Sequence, residues 1–226
     1  MTESHLLPTP PQISNTDLAW AALISDPAIG VAIVDAGGVF HFANARFTRL
    51  FGIDDPRAVI GSAHNQHFPP DCIDEWASIA ARVLTTRRPI VVRRVYRGRQ
   101  LQCTLWPAPG ADGGCHHVLI VSHQGEHDPV SADLEVVESG LVDLGPLDVL
   151  SKRELEVLAL LGQAHSLDEI ARLLHRSRKT IDNHRQSICR KLGESSRVRL
   201  AQLAREAALR TSDASLQRIR RGGTPN

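Results

Sequence analysis

No aromatic residue follows Trp106, the last of nine (five Phe, three Trp and one Tyr). The second half of the chain therefore has no ring on which an unpaired base could stack, which argues against single-stranded RNA or DNA as its partner. Lys and Arg are missing from the whole stretch between Arg99 and Lys152. The four cysteines, Cys72, Cys103, Cys115 and Cys189, never occur as Cys-x-x-Cys, so they do not read as a disulfide framework. No apolar run approaches the ~18 residues of a membrane span, and no basic leader with an apolar run opens the chain. A soluble, cytoplasmic protein is expected. Neither a Gly-rich phosphate loop nor a Ser/His/Asp constellation is present, so catalysis is not expected.

What is present is an asymmetry of charge. Residues 1–150 hold 10 Lys/Arg against 17 Asp/Glu, a net of −7, whereas residues 151–226 hold 16 against 8, a net of +8. The near-neutral total of +1 hides an acidic half and a basic half. A concentrated positive field attracts polyanions and speeds encounter with them. At ~100–150 residues per domain, the length predicts two domains.

The acidic half reads as α+β. Residues 1–16, with Pro8, Pro10 and Pro11, form a lead-in expected to be disordered. Asp17 caps a short helix through Ile24. Val31–Val34 and Val39–Phe42 flank a Gly37-Gly38 turn and predict a hairpin. Helical spacing follows over Asn44–Phe51 and over Asp71–Leu84, where Ile73, Trp76, Ile79 and Val83 share a face. Strands are expected over Pro89–Tyr96, Arg99–Trp106 and His117–His123, giving helices packed on an antiparallel sheet. On Ile29-Gly30-Val31-Ala32-Ile33-Val34-Asp35, the Gly37-Gly38 turn, the Asn44-x-x-Phe47 step and Phe51-Gly52, residues 17–125 resemble a PAS sensor domain. The resemblance leaves two roles open, ligand or redox sensing and protein interaction with dimerisation, and assigns no cofactor-binding residue. Relatives that hold haem by a histidine of the long helix, or flavin by a cysteine in an Asn-Cys-Arg-Phe-like run, find no match in Asp71–Leu84 or around Cys72.

Residues 126–146 are acidic and interrupted by Gly140, Gly145 and Pro146. They read as a linker in which Ala132–Val142 suits a short helical segment. Residues 211–226 read as a frayed basic tail.

Between these, residues 147–210 carry three serine caps. Ser151 with Glu154 and Ser166 with Glu169 have capping-box spacing, and Ser177 opens a third helix that Gly193 stops near Leu192. Leu155, Leu158 and Leu161, then Ile170, Leu173 and Leu174, are the expected apolar faces of the first two helices. Projected at ~100° per residue, the third helix turns Ile181, Ile188 and Leu192 inward and Lys179, Asn183, Gln186 and Arg190 outward. Asn and Gln bond adenine bidentately, Arg bonds guanine, and short polar or basic side chains hold phosphates. The base-reading candidates are thus Asp182, Asn183, Gln186 and Arg190; the backbone candidates are Lys179, Thr180, His184, Arg185 and Lys191.

Leu150-Ser151-x-x-Glu154-x-x-Val157-Leu158, Glu169-Ile170-Ala171, Ser177-x-Lys179-Thr180-Ile181-x-Asn183-His184 and Lys191-Leu192-Gly193 resemble the LuxR-type helix-turn-helix. The resemblance implies an all-α four-helix domain that regulates transcription, reads duplex DNA with its third helix and pairs through its fourth. That fourth helix spans Ser196 to about Leu209, with Val198, Ala201, Ala204 and Ala208 in register. A homodimer, promoter DNA and a contact with RNA polymerase are the partners it implies. Asp182 departs from the basic residue common at its position, and suits accepting from a cytosine or orienting a neighbouring Arg. His64-x-x-His67 with Cys72, and Cys115-His116-His117, fit no common zinc spacing, so no metal is expected.

Overall fold

The computed structural model describes residues 16–53, 55–110, 114–125 and 133–219. The lead-in apart from Thr16, residues 126–132 of the acidic stretch and residues 220–226 of the tail lie outside them. The first half contains α1 (Thr16–Ser25), β1 (Gly30–Asp35), β2 (Phe40–Ala43), α2 (Ala45–Phe51), α3 (Pro56–Val59), a 3-10 turn at His64–Gln66, α4 (Pro70–Thr86), β3 (Ile90–Tyr96), β4 (Arg99–Ala108) and β5 (His117–Gln124). β6 (Glu135–Val142) and a 3-10 turn (Gly145–Val149) lead to α5 (Lys152–Gly162), α6 (Leu167–Leu173), α7 (Arg178–Leu192) and α8 (Arg197–Glu206). A last 3-10 turn (Thr211–Ser215) precedes β7 (Gln217–Arg218).

The sheet order is β2-β1-β5-β4-β3-β6-β7. Its first five strands pair antiparallel, with Ala32 opposite Ile120 and Cys103 opposite Ser122. The Asp35 carboxylate holds the β1–β2 turn by accepting from the amides of Gly37 and Val39, each at 2.9 Å. Asn44 explains the step that follows. Its Oδ1 accepts from Phe47 N at 2.8 Å, capping α2, and from Val31 N at 3.0 Å. Its Nδ2 donates to the carbonyls of Ile24 and Ile29, both at 2.9 Å. One buried amide thus ties α1, β1 and α2 together. Gly30 is where α2 crosses β1: a Cβ there would meet Leu50 Cδ1 at 2.9 Å and Phe47 Cα at 3.0 Å. The sheet face carrying Ala32, Val34, Leu101, Leu105 and Ile120 packs against Phe47, Leu50, Ile79 and Val83 in one core. Each Val, Leu, Ile or Phe side chain among them, once buried, favours folding by ~1.5–3 kcal/mol.

Two expectations give way here. The acidic stretch forms a strand in place of a helical linker, and the sheet is mixed, because β6 pairs parallel to β3 (Val91 opposite Val136) and β7 pairs parallel to β6. The Val136-Val137 pair favours extended backbone, and β3 otherwise presents an unpaired edge that β6 covers. The supposed frayed tail supplies β7, so residues 217–219 are packed against the sheet, while the 3-10 turn Thr211–Ser215 places Ala214 in the core of the C-terminal helices.

The C-terminal helices enclose a second core of Leu155, Leu158, Leu161, Ile170, Ile181, Ile188 and Leu200, which Val95 and Val142 of the sheet also join. Leu173 departs from the expected apolar face and is 53% exposed. In a seven-residue helix Ile170, Ala171 and Leu174 suffice to cover α5 and α7, and Leu173 falls outside that arc. The small-residue stripe of the fourth helix is also split. Ala204 is buried against α5, where a Cβ on Gly162 would meet its Cβ at 2.7 Å, whereas Val198 is 75% exposed. Among the described residues no helix is long and apolar enough to cross a membrane.

Candidate nucleic-acid interface

Both capping boxes form. Ser151 Oγ accepts from Glu154 N and Glu154 Oε2 from Ser151 N; Ser166 and Glu169 repeat the exchange. They fix the entry angles of α5 and α6. The turn between α6 and α7 is closed by His175, which takes a left-handed φ of 51°. Ser177 Oγ then accepts from Thr180 N at 3.1 Å, and Gly193, at φ 68°, ends α7. At 1.5 Å per residue the 15 residues of α7 span ~22 Å, enough to lie along a major groove.

Burial divides α7 as its periodicity requires. Ile181 and Ile188 are fully buried and Leu192 packs at the edge of their core. Lys179, Asn183, Gln186 and Arg190 are exposed, while Asp182, His184 and Arg185 lie on the half-buried flanks. Several candidates engage one another. Asp182 Oδ1 accepts from Arg185 Nε at 2.8 Å and Oδ2 from Gln186 Nε2 at 2.9 Å. The Arg185 hydrogen bond, with Gln186 and the charge of Arg178, holds the Asp182 carboxyl below its ordinary range against a small desolvation. Asp182 thus engages neighbouring side chains on its own helix. Arg190 Nη2 donates to Ser187 Oγ at 3.4 Å, and the Thr180 hydroxyl meets that of Ser177 at 2.8 Å.

Lys191 is placed differently from the rest. Its Nζ lies 2.7 Å from Glu154 Oε2, so it braces the end of α7 against the start of α5. Burial would raise the Glu154 pKa, but hydrogen bonds from Lys191, the Ser151 amide and Ser187 outweigh it and bring the value down to about 2. Pattern reading also passed over a basic group. Arg172, Arg176 and Arg178 are exposed around the α6–α7 turn, in a groove shared with Asp168 and His175. Arg178 Nη1 sits 3.1 Å from Asp168 Oδ2. The signal was the density of Arg between 172 and 178, just before the helix whose outer face drew the attention.

A second site lies inside the sheet domain. Phe47, Phe51, His64, Phe68, Trp76 and Arg94 line a cavity of about 30 Å³, the room of a single water. Burial drives His64 down to about pKa 4, with the like charge of His67 adding to it and Asp35 opposing, so its imidazole is neutral near pH 7. His67 is joined to the Ser62 hydroxyl at 2.6 Å. Desolvation raises the Cys72 thiol to about 11 and raises that of Cys103, so neither is an activated nucleophile. Arg94 is the cationic member of the lining. Its side chain is 8% exposed and its Nη2 donates to Glu75 Oε2 at 2.7 Å.

The family model of the bacterial regulatory proteins of the luxR family matches residues 148–204, and that of the PAS fold matches residues 27–124. Over 59 residues the chain is 42% identical to the oxygen regulatory protein NreC of Staphylococcus aureus, a stretch that is 26% of this chain and 27% of that protein. The chain thus spans about a quarter of the length of the curated relatives it matches. The crystal structure of a Vibrio cholerae VqmA–ligand–DNA complex superposes with a TM-score of 0.51 at 20% identity, covering 87% of this chain and 94% of that one, which shows a shared fold. The chain thus carries a domain of the PAS fold over residues 27–124 followed by a domain of the luxR family of bacterial regulatory proteins over residues 148–204.

Proposed function

We propose that this protein is a transcription regulator that binds duplex DNA sequence-specifically through α7. The observation that carries the reading is the division of that helix: Ile181 and Ile188 are locked in the core while Lys179, Asn183, Gln186 and Arg190 stand exposed along the opposite side. In the groove, Asn183, Gln186 and Arg190 read base edges, Asp182 sets the orientation of Arg185 and Gln186, and Lys179, Thr180, His184 and Arg185 hold phosphates. Lys191, bound to Glu154, serves the backbone only by positioning the end of the helix. The described VqmA structure is a complex with ligand and DNA, and the shared fold supports the same use here. Selection from a randomised duplex library tests the proposal. One enriched motif is expected, and a library that stays random after selection would overturn it.

Two recognition helices related by a twofold axis need half-sites spaced by the helical repeat, so the bound form is a homodimer on an imperfect palindrome. Sedimentation on the selected duplex should give two chains per site. The PAS domain supplies the signal; its cavity has room for one water as it stands, so a small polar ligand held by the buried His64 and Arg94 enters by opening the aromatic lining. Native mass spectrometry of the purified protein should show a retained mass. Regulation further requires the bound dimer to meet RNA polymerase, which run-off transcription with and without the protein tests.

A further inference from the structure

Beyond α8 the chain returns to the sensor. Arg210 Nη1 donates to Glu138 Oε1 of β6 at 3.2 Å, and its amide donates to Asp213 Oδ2 at 2.7 Å. β7 then adds to β6, with Leu141 opposite Gln217 and Val142 opposite Arg218, and Ile219 N donates to Val142 O at 2.9 Å. The Ile219 side chain, 8% exposed, belongs to the PAS core. Gln217 Nε2 reaches Asp71 Oδ2 at the start of α4, at 3.3 Å. Arg218 grips the other unit. Its Nη1 donates to Asp148 O at 2.9 Å and Oδ1 at 3.2 Å, and its Nη2 to Leu150 O at 2.7 Å, one residue before the cap of α5. Ten residues therefore bond the sheet, α4 and the entry to the helix-turn-helix at once.

The strand they grip is anchored to the cavity wall. Along β6 the register with β3 shifts between Glu138 and Val142. In that shift Ser139 Oγ donates to both oxygens of Glu75 at 2.8 Å, and Gly140 N donates to its Oε1 at 3.0 Å. The same carboxylate accepts from Arg94, which lines the cavity. A ligand group that drew Arg94 away would alter the support of β6. With only two ladder residues in β7, far fewer than the usual ~5–6, local opening of this segment is the least costly rearrangement available.

We propose that residues 210–219 are a clasp that fixes the DNA-reading unit to the sensor, and that the Arg94–Glu75–Ser139 link lets the state of the cavity loosen it. Its consequence rests on the DNA-binding reading. A closed clasp holds the two α7 helices of a dimer at one separation, so half-site spacing is strict. An open clasp leaves each unit seated on the apolar layer of Val95, Val142 and Leu144, and spacing is tolerated.

Hydrogen exchange read by mass spectrometry on the full chain tests the clasp without DNA. Slow exchange is expected in peptides covering 216–219 and 135–142 of the unaltered chain. Ile219→Asp and the milder Arg218→Ala should each speed both by ~10-fold or more, while α4 and α5 peptides keep their rates. Glu75→Gln, remote from the clasp, should speed the 216–219 peptide as well. An unprotected 216–219 segment in the unaltered chain, or variants with unaltered rates, would overturn the clasp. The consequence is read on the selected duplex with its half-sites moved apart by five base pairs. The unaltered chain should lose ~10-fold or more in affinity and Ile219→Asp less than ~3-fold. Identical spacing profiles would overturn the regulatory role even if exchange shows opening. If no duplex is selected at all, the DNA reading fails, and the exchange result still decides the clasp.

Discussion

Asp182 and Arg185 face each other one turn apart on α7, 2.8 Å from carboxylate to guanidinium, and the second oxygen of Asp182 holds Gln186. An acid on a DNA-reading face repels phosphate, yet here it fixes two of the groups that would touch DNA. Asp182→Ala should therefore change two things in opposite directions. Affinity for random duplex rises and the slope of log K against log salt steepens by about one, since the acid no longer offsets the charge of Arg185 on phosphate. Discrimination against single-base changes in the selected site falls, since Gln186 loses its orientation. Anisotropy titrations at several salt concentrations measure both; an unchanged slope would show that Asp182 does not offset phosphate contacts, and unchanged discrimination that it orients nothing.

The exposed row predicts a division of labour. Asn183→Ala and Gln186→Ala should each cost ~1–3 kcal/mol on the selected duplex and little on random DNA. Lys179→Ala should weaken both alike and lower the salt slope by about one. Equal losses from all three variants on both duplexes would mean that this face has been assigned wrongly.

Glu154 joins a capping box to the Lys191 contact, and its carboxyl titrates at about 2 when folded against an ordinary 4.5. A carboxylate with a depressed folded pKa contributes stability that is complete above the unfolded value and lost as pH falls through the folded one. Stability on the order of 2 kcal/mol should therefore disappear between about pH 4.5 and 2. Glu154→Gln should remove a comparable amount at pH 7 and flatten that acid limb. Denaturant melts of the two proteins across the range make the comparison.

His64 titrates at about 4 in the fold against 6.5 unfolded, so the unfolded chain takes up a proton that the native core refuses. Stability is complete above pH 6.5 and declines as pH falls to 4, a window distinct from that of Glu154. His64→Leu keeps an apolar side chain among Phe40, Phe68 and Trp76 and should abolish the decline, on the order of 2 kcal/mol by pH 4. Thermal melts that still fall equally between pH 6.5 and 4 would place the titrating group elsewhere.

The features legible in the chain are those whose partners lie within a few residues. Ser151 and Glu154, or Ser166 and Glu169, exchange hydrogen bonds over three positions, so spacing alone announces them. The two faces of α7 follow from the helical repeat, and Asn44 capping Phe47 is again a step of three. Thus the order of most elements, the two-unit organisation and the outward row of polar side chains were set by local sequence. Tertiary structure decided what distant segments do to each other. Residues 135–142 read as part of a linker with a helical segment, but the open edge of β3, some forty-five positions earlier, made them a strand. The pairing of Lys191 with Glu154 at 2.7 Å joins residues 37 positions apart and is visible in no short window. The tail looked unattached, yet Ile219 fills a place in a core whose other members precede residue 142. Such pairings depend on loop closure and on which surfaces are left unpaired once the nearer contacts have formed, and neither quantity is written in any short window of the chain.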